Sequence, residues 1–201
     1  MTKEYNNNPN TMSIIPIDFS NITHKHIIMK LCKRNNFYED DIYTEIYREI
    51  PPKIHKHMMM LCNDANTKMN EFIRQTYENV VSYGYFMIDK QESRNAVVGF
   101  SIYNIEKTRI RSELMFILVD KDYQNRGFGT SLIKHYLNII DNEKLFARVK
   151  CEKTDDLIIK WYKNNGFKYY LNIILDGGKT KLMPLFYNLP EKYLSINSDL
   201  I

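Results

Sequence analysis

The sequence predicts an α/β (α+β) fold in which helices flank a mixed, mostly antiparallel central sheet. Residues 21–82 have mainly helical periodicity, interrupted by Pro51 and Pro52. Segments typical of strands then follow one another, joined by polar turns, at 85–90, 96–107 and 111–120. Helical and strand patterns alternate after that point, which is typical of helices layered on a sheet.

The remaining elements follow from local patterns. Residues 1–11 are polar and are predicted to form a disordered arm, and residues 12–201 a single domain. Pro16 favours an edge position for a short strand at 12–19. The other predictions are helices at 129–143 and 154–166, strands at 144–152, 167–175 and 179–189, and a hairpin turn at "DGGK".

Composition excludes several classes of protein. The net charge of +4 is spread along the chain, without the clustered basic stripe of a nucleic-acid-binding protein. The polar start has no apolar signal core, and the longest apolar run, 114–119, is too short to span a bilayer. Three widely spaced cysteines indicate neither a disulfide framework nor a zinc site. These features predict a reducing, cytoplasmic location, with the nucleus left open, and no membrane or nucleic-acid partner.

The stretch "VDKDYQNRGFGTSLI" joins an apolar strand to a helix through a glycine-containing turn. A dinucleotide-binding turn would need glycine at Leu132, and a P-loop would need lysine after its last glycine, so both patterns fail. The helix still begins with unpaired N–H groups that favour an anion. Gly127 and Gly129 carry no Cβ to keep a pyrophosphate away, and Arg126 adds a charge. The alternative is a tight strand-to-helix corner.

Together with "KWYKNNGF" at 160–167, this stretch resembles the signature of the GNAT N-acetyltransferase superfamily. The resemblance covers about residues 85–190, taken as the cofactor-binding core, and implies acetyl-CoA as co-substrate. Its pantetheine arm would lie beside Leu118 and Val119, and Asp155 stands where the family often has an asparagine that contacts the arm. The pyrophosphate would lie on the turn formed by Gln124, Asn125, Arg126, Gly127, Phe128, Gly129 and Thr130.

Glu113 is the candidate general base. In the family the acetyl group passes directly to a substrate amine, which must lose a proton. Glu113 begins the otherwise apolar strand "ELMFILV", where an unpaired buried carboxylate would be costly, so we expect it to meet water, a partner or a substrate. Its place relative to the glycine turn resembles that of the base in the histone-lysine branch. The alternative is a solvated carboxylate paired with Arg111 or Arg109.

Tyr162 is the candidate acid near the CoA sulfur, because it matches the tyrosine of the second motif. A phenol donates a hydrogen bond at neutral pH. The alternative is a core aromatic that packs on Ile158, one helical turn earlier. No metal is expected, since the His-Lys-His pairs at 24–26 and 55–57 point apart on a helix. Cys151 is expected to be a small buried residue.

The resemblance implies acetyl transfer to a primary amine, and Glu113 favours the amine of a protein lysine, an N-terminus or a peptide. The acceptor would enter between the N-terminal helices and the loop after Leu175. A small amine such as a polyamine, an amino sugar or an aminoglycoside is the alternative, and the acidic run 39–41 would attract a polyamine. A catalytically inert acyl-CoA-binding module is a further alternative, and homodimer formation is left open.

Overall fold

The computed structural model describes residues 12–36, 80–91, 96–170 and 182–194. The described strands form one sheet in chain order, in which β4 and β5 are parallel and all other neighbours are antiparallel. The predicted fold class is therefore confirmed. The strands are β1 (Met12–Pro16), β2 (Val80–Asp89), β3 (Ala96–Glu106), β4 (Arg111–Val119), β5 (Phe146–Glu152) and β6 (Leu182–Tyr187). The helices are α1 (Ile22–Arg34), α2 (Phe128–Asn142) and α3 (Asp156–Asn164).

Helices cover both faces of the sheet. On one face, called the α1 face, Ile28 of α1 packs in a buried cluster with Phe100 and Leu118. On the other, called the α2 face, Tyr136 of α2 and Tyr162 of α3 belong to a separate buried cluster. Each cluster is made by the apolar stripe of an amphipathic helix lying on alternate residues of the strands. Successive residues of β4 therefore meet different helices, α1 on one face of the sheet and α2 with α3 on the other.

A bulge in β4 changes which residues face α1. Tyr103 of β3 pairs with Leu114 and Ile102 pairs with Phe116, which leaves Met115 as an extra residue. Phe116 packs with the α1 cluster and Leu114 with the α2 cluster, so Glu113 lies on the α1 face. Along β4 the α1 face thus changes from polar, at Glu113, to apolar, at Phe116 and Leu118.

Several boundaries differ from the sequence prediction. Strand β2 begins at Val80, so residues 80–82 are strand where a helix was predicted. Gly84 lies inside this strand, where a Cβ would come within 2.9 Å of both Ile17 and Phe19. The β-branched pair Val80 and Val81 and the aromatic residues that follow in "VVSYGYF" have high strand propensity, which explains the longer strand. The edge position of β1 is as expected, since β1 pairs with β2 and ends the sheet.

Some predictions lie outside the described residues. These are the arm at 1–11, the helices between 37 and 79, and the turn at "DGGK". Of the predicted strand at 167–175, the described part includes Lys168, which exchanges backbone hydrogen bonds with Phe186 at 2.7 and 2.8 Å. Within the described ranges no helix is long and apolar enough to cross a bilayer.

Candidate active site

An opening lies between the two parallel strands. Strand β4 pairs with β5 from Arg111 to Leu114, and residues 115–119 continue without β5 as a neighbour. The N–H of Asp120 donates to the carbonyl of Val98 at 2.8 Å, on the β3 side. Since peptide groups alternate in direction along a strand, those of Val119 and Ile117 point into the opening, and that of Leu118 points to β3.

A cleft of about 490 Å³ begins at this opening on the α2 face. Val119 forms one wall, the N-terminus of α2 another, and Ile158 and Trp161 of α3 a third. Six further residues of the predicted pyrophosphate turn also line it. They are Gln124, Asn125, Gly127, Phe128, Gly129 and Thr130.

Three predicted cofactor-binding residues lie elsewhere. Leu118 lines a separate cavity of about 290 Å³ beside the end of α1. The guanidinium of Arg126 lies 5.0 Å from the centre of the Tyr123 ring. Asp155 caps α3, its carboxylate accepting from the N–H of Ile158 at 3.1 Å. Leu118, Arg126 and Asp155 therefore do not line the cleft.

The glycine turn has the geometry of an anion-binding site. The N–H groups of residues 128–130 at the start of α2 form this site, which is called the anion seat. Gly127 has φ 85°, a left-handed conformation in which glycine is favoured, and its carbonyl accepts the first helical bond of α2, from Ser131. The N–H groups of Phe128, Gly129 and Thr130 precede that first bond and lie beside the cleft. A Cβ on Gly129 would lie 3.6 Å from Trp161 and 3.7 Å from Val119, within the cleft. The residues present therefore fit a phosphate-bearing ligand.

Gln124 ties this turn to β4. Its Nε2 donates to the carbonyl of Val119 at 3.0 Å. The carbonyl of Val119 thus accepts a hydrogen bond from within the chain. The N–H of Val119 is the group of this residue that is left to bind a ligand in the opening. Gln124 thus stabilises the position of the glycine turn relative to the end of β4.

Glu113 has partners other than those considered from the sequence. Arg111 and Arg109 both pair with Glu106, at 2.5 and 3.0 Å. The two oxygens of Glu113 instead contact Arg148 at 2.5 Å and Lys150 at 3.0 Å. Burial acts to raise the pKa of Glu113, but the charges and hydrogen bonds of these two residues hold that pKa below its ordinary value. Glu113 is therefore ionised at neutral pH.

Tyr162 is buried on the α2 face. The centre of its ring lies 4.9 Å from that of Trp161 and 5.4 Å from that of Phe167. Burial raises the pKa of its hydroxyl, which stays protonated at neutral pH. Ile158, the packing partner considered from the sequence, is 43% exposed and lines the cleft. Cys151 is buried near Tyr162, as expected of a small core residue, and burial raises the pKa of its thiol to about 11.

The sequence profile of the Acetyltransferase (GNAT) family matches residues 42–167, more than half of the chain. The chain belongs to the GNAT family of acetyltransferases. It is therefore an acyl-CoA-dependent N-acetyltransferase. No curated protein sequence matches this GNAT chain.

Solved structures share its fold at low sequence identity. A GNAT acetyltransferase of Staphylococcus aureus Mu50 is 17% identical over 89% of this chain and 99% of that chain, with a TM-score of 0.56. The PaiA N-acetyltransferase of Thermoplasma acidophilum, solved with coenzyme A, is 13% identical over 89% and 99%, with a TM-score of 0.52. The ribosomal-protein-S18-alanine N-acetyltransferase of Escherichia coli is 13% identical over 87% and 90%, with a TM-score of 0.50.

Sequence reasoning missed part of the cleft lining and the two basic partners of Glu113. Glu113, Arg148 and Lys150 together are called the charge cluster. Ile158 and Trp161 are spaced three apart on α3, a spacing that predicts a shared face but does not say what that face meets. Arg148 and Lys150 alternate on β5, and nothing local signals that this strand lies beside Glu113. Tyr123 and Ile117 were likewise missed as lining residues.

The described residues contain no group of three or more side chains that could hold a metal ion. His24, one of the histidines considered from the sequence, accepts a hydrogen bond at Nδ1 from the N–H of Asp18 at 3.0 Å. Its ring also packs edge-on against Phe86. His24 thus has a structural role at the start of α1.

Proposed function

We propose that this chain transfers an acetyl group from acetyl-CoA directly to a primary amine of a protein lysine, an N-terminus or a peptide. One observation carries the proposal. The cleft with the anion seat opens on the α2 face, whereas the carboxylate of Glu113 lies on the α1 face of the same strand, beside the opening between β4 and β5. A donor and an acceptor can therefore approach the opening from opposite faces of the sheet.

On the donor side, the proposal assigns the pyrophosphate to the N–H groups of residues 128–130 at the start of α2. Acetyl-CoA supplies the thioester when bound. The alternating peptide direction favours Ile117 and Val119, rather than Leu118, as the groups that pair with the peptide-like pantetheine arm. The N–H of Val119 faces the opening and would stabilise negative charge on the thioester oxygen.

On the acceptor side, Glu113 would accept the proton of the amine, directly or through water. Tyr162, protonated at neutral pH, would donate a proton or hydrogen bond to the leaving sulfur. The low pKa of Glu113 makes it a weak base, so its main effect would be to hold the amine or a water in place while the proton leaves. The role of general base stays a prediction for Glu113, as does that of acid for Tyr162.

The test is a transfer assay that measures release of the CoA thiol with lysine peptides, N-terminal peptides, polyamines, amino sugars and aminoglycosides. Peptide amines are expected to turn over, and Glu113→Gln is expected to lower kcat by about 10²-fold or more with CoA binding unchanged. Glu106→Gln is the matched control, because Glu106 pairs with Arg111 and Arg109 away from the opening.

Turnover of a polyamine or amino sugar with none for peptides would replace the proposed acceptor class. Binding of acetyl-CoA without transfer to any amine would contradict the proposed reaction. Equal losses in Glu113→Gln and Glu106→Gln would show that the charge cluster matters for folding only.

We further propose a cytoplasmic location. Cys32 and Cys151 are free and buried, which suits a compartment where thiols stay reduced. Fractionation of cells that express the tagged chain checks this, and recovery from a membrane or secreted fraction would contradict it.

A further inference from the structure

Lys150 lies at the opening, on the side of the expected acceptor. It follows Val149, the last residue of β5 that pairs with β4. Alternation along β5 puts Lys150 on the same face as Arg148, and therefore on the face of Glu113, whereas Cys151 belongs to the core cluster on the α2 face. The side chain of Lys150 is 37% exposed.

The contact between Lys150 and Glu113 has the geometry that removal of a proton from an amine needs. The Nζ of Lys150 is 3.0 Å from Oε1 of Glu113, within the distance over which a general base takes a proton. A primary amine of this chain therefore occupies the place beside the carboxylate where the proposed reaction puts its acceptor. A long, flexible lysine stem also lets the amine move toward the opening.

We propose that Lys150 is an acceptor site of this enzyme, which acetylates its own Nζ within one molecule. The inference rests on the proposed function, since it uses the same donor and the same carboxylate. The neutral amine of Lys150 forms a C–N bond with the acetyl carbon, and the C–S bond of acetyl-CoA breaks. The ammonium first loses one proton to a water held by Glu113, and the second amine proton leaves as the amide forms and passes to the CoA thiolate. The products are acetylated Lys150 and the CoA thiol.

The modification would change the charge of the site. An acetylated lysine is neutral, so Glu113 would keep Arg148 as its cationic partner on β5 and lose the ion pair with Lys150. The opening would thereby carry one positive charge less on the α1 face. Self-acetylation thus alters the surface that a second amine meets.

The experiment incubates the full chain with acetyl-CoA bearing an isotope-labelled acetyl group and follows the label by intact mass and peptide mapping. The label separates new acetylation from any acquired during expression. We expect one labelled site, Lys150, with a first-order rate that does not depend on protein concentration. Lys150→Arg should abolish the labelling, and Lys153→Arg, at an exposed lysine in the following turn, should leave it unchanged.

Two further controls separate enzymatic from chemical acetylation. Glu113→Gln should slow labelling of Lys150 by about 10²-fold or more, and Glu106→Gln should not. Equal labelling in Glu113→Gln, or in the chain unfolded by urea, would overturn the inference, because the site would then react without the enzyme. A rate that rises with protein concentration would also overturn it, since transfer would then be between molecules.

A lysine peptide in a parallel reaction separates this inference from the proposed function. An acetylated peptide with unlabelled Lys150 would overturn self-acetylation alone. Labelled Lys150 without transfer to any added amine would support self-acetylation and contradict the proposed acceptor class. Absence of label on the chain and on every amine would overturn both.

Discussion

The guanidinium of Arg34 lies 2.8 Å from the carboxylate of Asp120, which is 1% exposed. Arg34 ends α1, and Asp120 follows β4 and caps the short turn at 121–123 that leads into the glycine turn. A second ion pair joins Arg34 to Asp122 at 2.8 Å, and the side chain of Asn35 accepts from the N–H of Lys121 at 2.8 Å. The end of α1 is therefore fastened to the segment that positions the anion seat.

Arg34→Met is expected to lower the free energy of unfolding by about 1–3 kcal/mol, because it leaves a buried carboxylate without its cation. The looser turn should also raise the KM for acetyl-CoA more than it lowers kcat. Urea unfolding and steady-state kinetics measure the two effects. Lys33→Met, at an exposed neighbour, is the control, and equal behaviour of the two variants would show that the pairing with Asp120 has no such role.

Gly129→Ala is expected to weaken acetyl-CoA binding without loss of stability. The added Cβ would make ordinary contacts with Trp161 and Val119, and alanine is favoured over glycine inside a helix by about 0.5–1 kcal/mol. The methyl group nevertheless occupies the cleft. Calorimetric titration with acetyl-CoA measures the binding, and unchanged affinity would contradict the assignment of the cleft.

Gly127→Ala should behave differently from Gly129→Ala, because Gly127 has φ 85°. Forcing a Cβ into the left-handed region is expected to cost about 1–2 kcal/mol of folding stability. A thermal melt without ligand shows this loss. Equal melting temperatures for wild type and Gly127→Ala would mean that the turn adopts another conformation.

Tyr162→Phe is expected to slow turnover by about 10²-fold with a change in stability under about 1 kcal/mol. The ring would keep its packing against Trp161 and Phe167, and the hydroxyl alone would be lost. Single-turnover kinetics and urea unfolding separate the two effects. Undiminished turnover would leave Tyr162 as a core residue, and a large loss of stability alone would favour the same interpretation.

The stabilising effect of Glu113 should depend on pH. Its pKa in the folded state is lowered from the ordinary value of 4.5, so the ionised carboxylate stabilises the fold above that pH. This contribution is lost as pH falls through the folded pKa. The stability difference between wild type and Glu113→Gln is therefore expected to be about 1–3 kcal/mol at neutral pH and to shrink below pH 4.5. A difference that stays constant from pH 7 to acid would contradict the ion cluster.

The order of elements and the glycine turn could be predicted from sequence because their causes are local. Gly127 adopts a left-handed conformation, and Asp155 caps α3 through an N–H three residues on. Periodicity and capping chemistry are properties of short stretches, and the predicted strand at 96–107 and helix at 129–143 each match the structure within one residue at either end.

The surroundings of Glu113 could not be predicted in the same way. Arg148 reaches Glu113 through the parallel pairing of two strands that are separated by a helix in the chain. Glu113 and Leu118 are also an odd number of residues apart, which in a regular strand would put them on opposite faces. The bulge at Met115 puts Glu113 and Leu118 on the same face. No single residue type predicts a bulge in an apolar strand.

The bulge also decides how β4 would respond to a change in its length. Leu114 and Phe116 already lie opposite neighbouring residues of β3, so Met115 is accommodated as a local kink and adds little to the length of the strand. Deleting Met115 would restore a regular ladder, keep Glu113 on its face and leave its distance to the glycine turn almost unchanged. The distance from the carboxylate to the glycine turn is therefore set by the pairing with β3, and not by the number of residues in β4.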